Sequence, residues 1–336
     1  PYTFDVSVWE LFWWGITGRT LCASKPDEHF LPAKILQETE NNKVTHLHFV
    51  PSVFDLFLTY LENNPEEQEK FNSVKYVFLS GEALTANSIN RFYNIYDYNK
   101  VQLHNLYGPT ECAVDVSYYA CTPTDIDPVP IGKPIYNTQL YIVDKHLNPT
   151  PIGVTGELCI AGVNVGQGYL NNEELTNEKF IPNPFGEGKL YKTGDLAYWR
   201  NDGNICYVGR NDFQVKINGQ RIELGEIENA ISGIDGVVQC AVIVREQYIC
   251  AFYTGAETDA KDFRTILSTK LPRYMVPHSF THLEALPMTV SGKLDRKALP
   301  EIDFSSISSE TEYVAPTTEK EKALSNALST VLNIEE

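Results

Sequence analysis

Paired cysteines are missing from this sequence of 336 residues. Its seven cysteines (Cys22, Cys112, Cys121, Cys159, Cys206, Cys240 and Cys250) include no C-x-x-C spacing, and their number is odd. Neither a zinc site nor a disulfide framework is expected, and a reducing, cytoplasmic setting fits best. Basic residues are also scarce: 27 Lys and Arg stand against 44 Asp and Glu, a net charge of −17. This argues against a general binder of nucleic acid or of anionic membranes, which both call for a basic face. A nucleotide site survives that exclusion, because a few local cations suffice. Long apolar runs are absent too. "VWELFWWGI" is interrupted by Glu10 and is far too short to span a bilayer, and no signal peptide is visible. The chain contains no GxxxxGK[ST] phosphate loop, no internal repeat and no long low-complexity tract. Its first residue is Pro, so it is expected to start inside a longer protein.

What is present reads as a globular α/β protein. Hydrophobic content is 43% and charged content 21%, and the length allows two or three domains. "KVTHLHFV" (43–50), "VKYVFLS" (74–80) and "VQLHN" (101–105) read as strands. Between them lie an amphipathic helix over 52–64, with Ser52 as its expected N-cap, and a second helix over about 85–98. Strand–helix–strand repetition implies a parallel sheet, with ligands beyond the carboxyl ends of its strands. "SGEAL" and "NLYGPTE" occupy that place. From about 111, short β runs broken by Gly, Pro and Asn predict a small antiparallel or barrel-like part. After Arg210 a compact α+β pattern follows, with a helix over 224–233, a strand pair, and a helix over about 259–271. Residues 301–316 are rich in Ser and Glu and read as a linker.

Taken singly, the polar motifs admit plain structural readings. "YKTGDL" (191–196) puts Lys192, Thr193 and Asp195 on a Gly turn, as a solvated hairpin would. Asp195 could equally accept the two hydroxyls of a ribose. "GRNDFQVKINGQRIELGEIE" (209–228) reads as a hairpin entering a helix whose acidic first turn suits the helix dipole. "SGKLDR" (291–296) offers Lys293 on a tight turn. "FDVSVWE" (4–10) reads as a strand with Asp5, Ser7 and Trp9 on one face, a carboxylate beside an indole. His46 and His48 share a strand face without a third metal ligand at a useful spacing.

The order of these motifs says more than any one of them. "FDVSVWE", "NLYGPTE", "GELCIAGVNVGQGYL" (156–170), "YKTGDL", the 209–228 stretch, "LPRYMVP" (271–277) and "SGKLDR" follow one another as in the adenylation domains of nonribosomal peptide synthetases. The chain closely resembles that family, within the acyl-CoA synthetase and luciferase superfamily, from residue 1 to about 300. The resemblance implies residues 1–210 as the remainder of a large N-terminal part. The family's earlier third, with its phosphate-embracing loop, is missing. It implies a C-terminal lid over 211–300 hinged at Asp212, and the start of a carrier domain over 317–336. A fragment of this kind is expected to adenylate poorly alone and to expose apolar strand edges.

It further implies an enzyme that uses ATP and Mg²⁺ to convert an amino acid to its adenylate. The enzyme then passes the acyl group to a phosphopantetheine thiol on a carrier domain in cis, beside a condensation domain. By the same resemblance Tyr107 stacks on adenine beside Asn105, with Gly81, Glu82 and Ala83 along the base. Thr110 contacts phosphate and Glu111 holds Mg²⁺, a hard oxygen ligand for a hard cation. Asp195 grips the ribose, with Tyr207 and Arg210 nearby. Lys293 neutralises charge as the adenylate forms, and Gly219 borders the pantetheine tunnel. The family's pocket positions fall on Asp5, Val6, Trp9, His48, Phe78, Ser80, Leu106, Val114, Asp115 and Lys293. Asp5 would pair with an α-ammonium and Lys293 with an α-carboxylate. The bulky Trp9, Phe78 and Leu106 with the polar His48, Ser80 and Asp115 resemble the set of serine-activating domains. An acyl- or aryl-CoA ligase, or a non-catalytic module keeping the fold, are the competing readings. No insertion of methyltransferase size interrupts residues 209–296.

Overall fold

The computed structural model describes residues 4–25, 28, 30–210, 214–217, 219–245, 247–288, 294–302, 318, 320, 322 and 325. The side chains of 214, 216 and 221 are not among what it describes. The linker reading beyond 302, Asp212, Lys293 and nearly all of 317–336 lie outside the described residues. The chain forms two compact units, Pro1–Gly225 and Glu226–Glu336. The 214–223 hairpin groups with the first unit, so the division by packing falls later in the chain than the expected hinge. No helix among the described residues is long and apolar enough to cross a membrane.

In the first unit, helix α1 (Ser7–Thr17) and helix α2 (Pro32–Asn42) precede strand β1 (His46–Phe49) and helix α3 (Pro51–Asn63). Strand β2 (Tyr76–Leu79), helix α4 (Ala86–Ile95), strand β3 (Gln102–Tyr107), β4 (Ser117–Ala120) and β5 (Lys133–Pro134) follow. They make one sheet in the order β1-β2-β3-β4-β5. The first three strands are parallel, as the strand–helix alternation predicts, and β4 and β5 close the sheet antiparallel. Fully buried Phe54, Phe57, Phe71 and Phe92 pack α3, α4 and the 65–71 turn on one face of this sheet.

The other face carries His46, His48, Phe78 and His104, and α1 lies along it. Trp9 and Trp13, one helical turn apart, set their rings edge-on to His48, His46 and Phe78 at 5.0–6.2 Å. Here the strand expected over "FDVSVWE" is corrected: the segment turns at Phe4–Asp5 and is helical from Ser7. Backbone bonds Ser7 N to Phe4 O and Val8 N to Asp5 O start the helix. The i, i+4 tryptophan pair fits a helical period, which outweighs a short alternation. The outward residues of α1, including Val8, Phe12 and Ile16, are exposed.

Ser52 is not the cap of α3. The helix begins at Pro51, whose missing N–H costs nothing at that position. The Ser52 N–H is instead satisfied by the Glu82 carboxylate at 3.0 Å. α4 is capped as its sequence suggests, Thr85 Oγ1 accepting from Ser88 N at 3.2 Å.

A second sheet uses β6 (Thr138–Val143), β7 (Gly156–Gly162), β8 (Phe180–Pro182), β9 (Lys189–Trp199) and β10 (Ile205–Arg210). Helix α5 (Glu173–Lys179) lies between β7 and β8 in sequence. The order is β10-β9-β7-β6 with β8 beside β9, all antiparallel, matching the barrel-like texture of the sequence. A hairpin of β11 (Gln214–Ile217) and β12 (Gln220–Glu223) follows.

Helix α6 (Leu224–Ser232) begins at the end of the first unit and runs into the second, where β13 (Val237–Arg245), β14 (Tyr248–Gly255), helix α7 (Ala260–Leu267) and β15 (Ser279–His282) complete the expected α+β pattern. The core of the second unit joins Ala241, Cys250, Phe252, Leu286 and Leu299. Glu228 ties it together, accepting from Val242 N at 2.8 Å and from Arg296 at 2.7 Å.

Candidate active site

Chain segments leaving the carboxyl ends of β2 and β3 meet the bulged middle of β9 around an open cleft. Ser80 and Gly81 come from the end of β2, and Tyr107 to Thr110 from the end of β3. Phe4, Asp5 and Val6 come from the turn before α1. Val114 and Asp115 come from the return of the same loop, and Asp195, Arg210 and Gly219 complete the lining. This is the position where α/β sheets bind ligands.

Asp195 does not lie on a hairpin turn; that reading of "YKTGDL" is corrected. The segment is the interior of β9, opposite β7 on one side and β10 on the other. Pairing jumps from Glu157–Leu196 to Cys159–Lys192, so β9 bulges over Thr193–Asp195, with Gly194 at φ 75°. A bulge re-aims side chains, and glycine takes the left-handed backbone without strain. Thr193 fixes the bulge by donating to Leu158 O at 2.6 Å and accepting from Asp195 N at 2.9 Å. The Asp195 carboxylate, 7% exposed, accepts from the Tyr107 hydroxyl and, at 2.6 Å, from Arg210. Burial first, and the neighbouring carboxylate second, hold the Tyr107 phenol well above its ordinary range. Tyr107 therefore stays a protonated donor, and Arg210 forms an ion pair with the Asp195 carboxylate. The buried charge is tolerated because it is paired and hydrogen-bonded.

The "YGPTE" turn owes its glycine to crowding. A Cβ on Gly108 would sit 2.1 Å from Val114 O and 2.6 Å from Asp115 Cα. The returning loop places Ala113 and Val114 at φ 58° and 79°, an uncommon backbone for a β-branched residue. Glu111 lies just past the cleft lining. Tyr169 donates to its Oε1 at 2.6 Å, and Gly166 N donates to its carbonyl at 2.8 Å. Beside it Cys112 is buried. Burial, then Glu111, push its thiol up, so it is no thiolate nucleophile.

Around Asp5 and Val6 the site becomes aromatic. His48 Nε2 lies 2.8 Å from Ser80 Oγ, and its Nδ1 lies 3.6 Å from Glu10 Oε1. Trp9 sets its ring edge-on both to the imidazole, at 5.4 Å, and to Phe78, at 5.7 Å. The Trp9 Nε1 is buried and has no hydrogen-bond partner among the described residues.

The cleft thus brings together Asp5, Val6, Ser80, Val114 and Asp115 with Gly81, Tyr107, Thr110, Asp195 and Arg210. His48, Phe78 and Trp9 stand behind this lining as one cluster. Tyr207 lies near Tyr107, ring centroids 6.4 Å apart. Asn105 is buried and gives its amide N–H to Pro130 O at 2.9 Å, off the lining. Ala83 and Leu106 are also off it. Glu82 contributes its carboxylate to Ser52 N and, at 2.7 Å, to Gly219 N. Asp212 and Lys293 lie outside the described residues. Sequence reading missed the Phe4 and Pro109 contributions and the Glu82 bridge. The cue for the first two was adjacency to motif residues; for the bridge there was none, since its ends are 137 residues apart.

Comparison with known proteins agrees with this geometry. The signature of AMP-binding enzymes matches residues 1–170, and that of the AMP-binding enzyme C-terminal domain matches residues 226–293. Zwittermicin A synthase ZmaJ of Bacillus cereus is 45% identical over 332 residues, covering 96% of this chain. Tyrocidine synthase 3 of Brevibacillus parabrevis is 42% identical over 343 residues, covering 100%. The chain spans 63% of the first relative's length and 5% of the second's. Among solved structures, holo-PA1221, an NRPS protein containing adenylation and PCP domains, superposes with a TM-score of 0.68. Its identity is 28%, with 80% of this chain and 46% of that one covered. A four-domain nonribosomal peptide synthetase, holo-AB3403, gives a TM-score of 0.55 at 33% identity, covering 99% of this chain and 25% of that one. With its mixed α/β sheet, its half-barrel, and a family signature over residues 1–170, the chain belongs to the AMP-binding, adenylate-forming ligase family.

Proposed function

We propose that this chain is the larger share of an amino-acid adenylation domain in a nonribosomal peptide synthetase, and that its amino acid is L-serine. The observation that carries the reading is the single cleft in which Asp5 and Ser80 share a lining with Tyr107, Asp195 and Arg210. Such a cleft suits a small zwitterion at one end and a nucleotide at the other. The amino-acid carboxylate attacks the α-phosphorus of ATP and pyrophosphate leaves; a phosphopantetheine thiol of a carrier domain then takes the acyl group. Positioning and charge neutralisation carry most of such catalysis.

Asp5 would hold the α-ammonium. An aryl or fatty acid lacks that group and would leave the carboxylate unpaired, which disfavours the acyl- or aryl-CoA ligase reading. Asp195 would receive the ribose hydroxyls, held in place by Arg210 and Tyr107. Tyr107 and Gly81 would border the base, with Asn105, Ala83 and Tyr207 behind. Thr110 would meet phosphate. Lys293 is assigned the substrate carboxylate and the bridging oxygen on its motif alone, as Asp212 is assigned the hinge. Mg²⁺ would supply charge neutralisation of the phosphates. Glu111 and Thr110 offer it hard oxygens, and a Mg²⁺ bound with substrate phosphates needs only one or two carboxylates from the protein.

Serine is supported by size and polarity. Trp9 and Phe78 back the lining with bulky rings, while Ser80 and Asp115 bring polar groups to it and His48 holds Ser80 from behind. Alanine would forgo the hydrogen bond that the cleft-lining Ser80 can share with a side-chain hydroxyl, a discrimination that favours the hydroxylated substrate. The test is binding of non-hydrolysable seryl-, alanyl- and threonyl-adenylate mimics to the full-length protein. Tightest binding of the seryl mimic, lost selectively in His48→Leu, is expected. Equal binding of seryl and alanyl mimics would refute serine, and thioester formation from coenzyme A with an aryl acid would refute the amino-acid reading.

A further inference from the structure

Glu10 has no part in the roles given above. It stands in the first turn of α1, where the helix dipole favours a carboxylate, and about half of its side chain is exposed. Yet its Oε1 lies 3.6 Å from Nδ1 of His48, whose side chain is 9% exposed. The opposite ring nitrogen, Nε2, lies 2.8 Å from Ser80 Oγ. Ser80 is buried and lines the cleft. Three elements therefore supply one file of polar groups, from solvent through His48 to the substrate space.

A neutral imidazole carries one N–H, and its surroundings choose the nitrogen that bears it. A carboxylate has no hydrogen to give, so its field favours the proton on Nδ1, the nitrogen that faces it. Nε2 is then an acceptor, and Ser80 must donate its O–H to Nε2. What Ser80 turns to the cleft is lone pairs.

We infer that Glu10 is a positioning residue for substrate choice: through His48 it makes Ser80 a hydrogen-bond acceptor, so that the cleft reads a donated hydrogen on a short side chain. The inference rests on the serine reading above and deepens it. The pocket senses the hydroxyl's hydrogen rather than its oxygen.

The experiment measures kcat and KM by amino-acid-dependent ATP–pyrophosphate exchange in the full-length protein. Its substrates are serine, alanine and 3-fluoroalanine, the last close to serine in size but without the donor. The wild type is expected to favour serine and to treat 3-fluoroalanine as it treats alanine. In Glu10→Gln the amide can offer oxygen or N–H to Nδ1, so the bias on the imidazole is lost. The serine-to-alanine ratio of kcat/KM should fall about tenfold, the worth of one hydrogen bond. The loss should appear in the serine KM, with alanine and ATP constants unchanged. Glu10→Asp, which keeps the charge, should retain most of the ratio. An unchanged ratio in Glu10→Gln, or an equal fall for serine and alanine, would overturn the inference. A wild type without serine preference would instead overturn the pocket reading, and the inference with it.

Discussion

The Asp195 end and the His48 end of the cleft are built by opposite means. At the first, a buried carboxylate is clamped by a phenol, a guanidinium and a bulged strand. At the second, the His48 imidazole meets the edge of the Trp9 ring and one hydroxyl, that of Ser80. A paired buried charge fixes geometry but tolerates no loss of a partner; an aromatic wall with single polar contacts can be retuned cheaply. The clamped end suits chemistry common to a whole family, and the aromatic end suits choice among substrates.

The comparison is broken most severely at the clamp. Asp195→Ala leaves Arg210 without its carboxylate and should destabilise the first unit by about 3–5 kcal/mol. Chemical denaturation should show this, together with a collapse of nucleotide binding. By contrast His48→Leu should alter substrate preference with little change in the midpoint. Next in size is Gly108→Ala, which drives a methyl into Val114 O and Asp115. Overpacking against backbone is expected to cost about 1–3 kcal/mol and to shift both ends of the cleft together. Glu82→Gln should be milder, about 1–2 kcal/mol, because the amide keeps one oxygen acceptor for one backbone N–H and turns its NH2 toward the other. Faster hydrogen exchange at the Ser52 and Gly219 amides would report it.

The smallest effect concerns pH. Burial holds His104 below its ordinary value of 6.5, and burial, then Arg19 and Lys75, do the same for His46. The unfolded chain therefore takes up these protons first as pH falls. The contribution to stability is complete above about pH 6.5 and is lost as pH drops below it. His104→Gln should flatten that limb in thermal melts while leaving the plateau above it in place.

The sequence disclosed the two ends unequally. The parallel order β1-β2-β3 was legible because alternating strand and helix periods admit few arrangements. The motif order named Asp5, Tyr107, Thr110, Asp195 and Arg210, and these do share a cleft. The bulge that aims Asp195 was not legible, since it depends on how β7 and β10 register against β9, information held 35 residues away in the case of Leu158 and Thr193. "FDVSVWE" read as a strand because seven residues can alternate by chance; its helix declares itself only when Trp9 and Trp13 meet the face of His46 and His48. Ser52 looked like a cap, yet Glu82 reaches its N–H from 30 residues away. Local signals predicted elements, and non-local hydrogen bonds decided where their polar groups point.

The most direct test of the account is an ATP–pyrophosphate exchange panel of the twenty amino acids on the full-length protein, run beside Asp5→Asn. Serine is expected as the preferred substrate, with exchange lost for every amino acid in the variant. Preference for an acid without an α-ammonium, or a variant as active as the wild type, would contradict it.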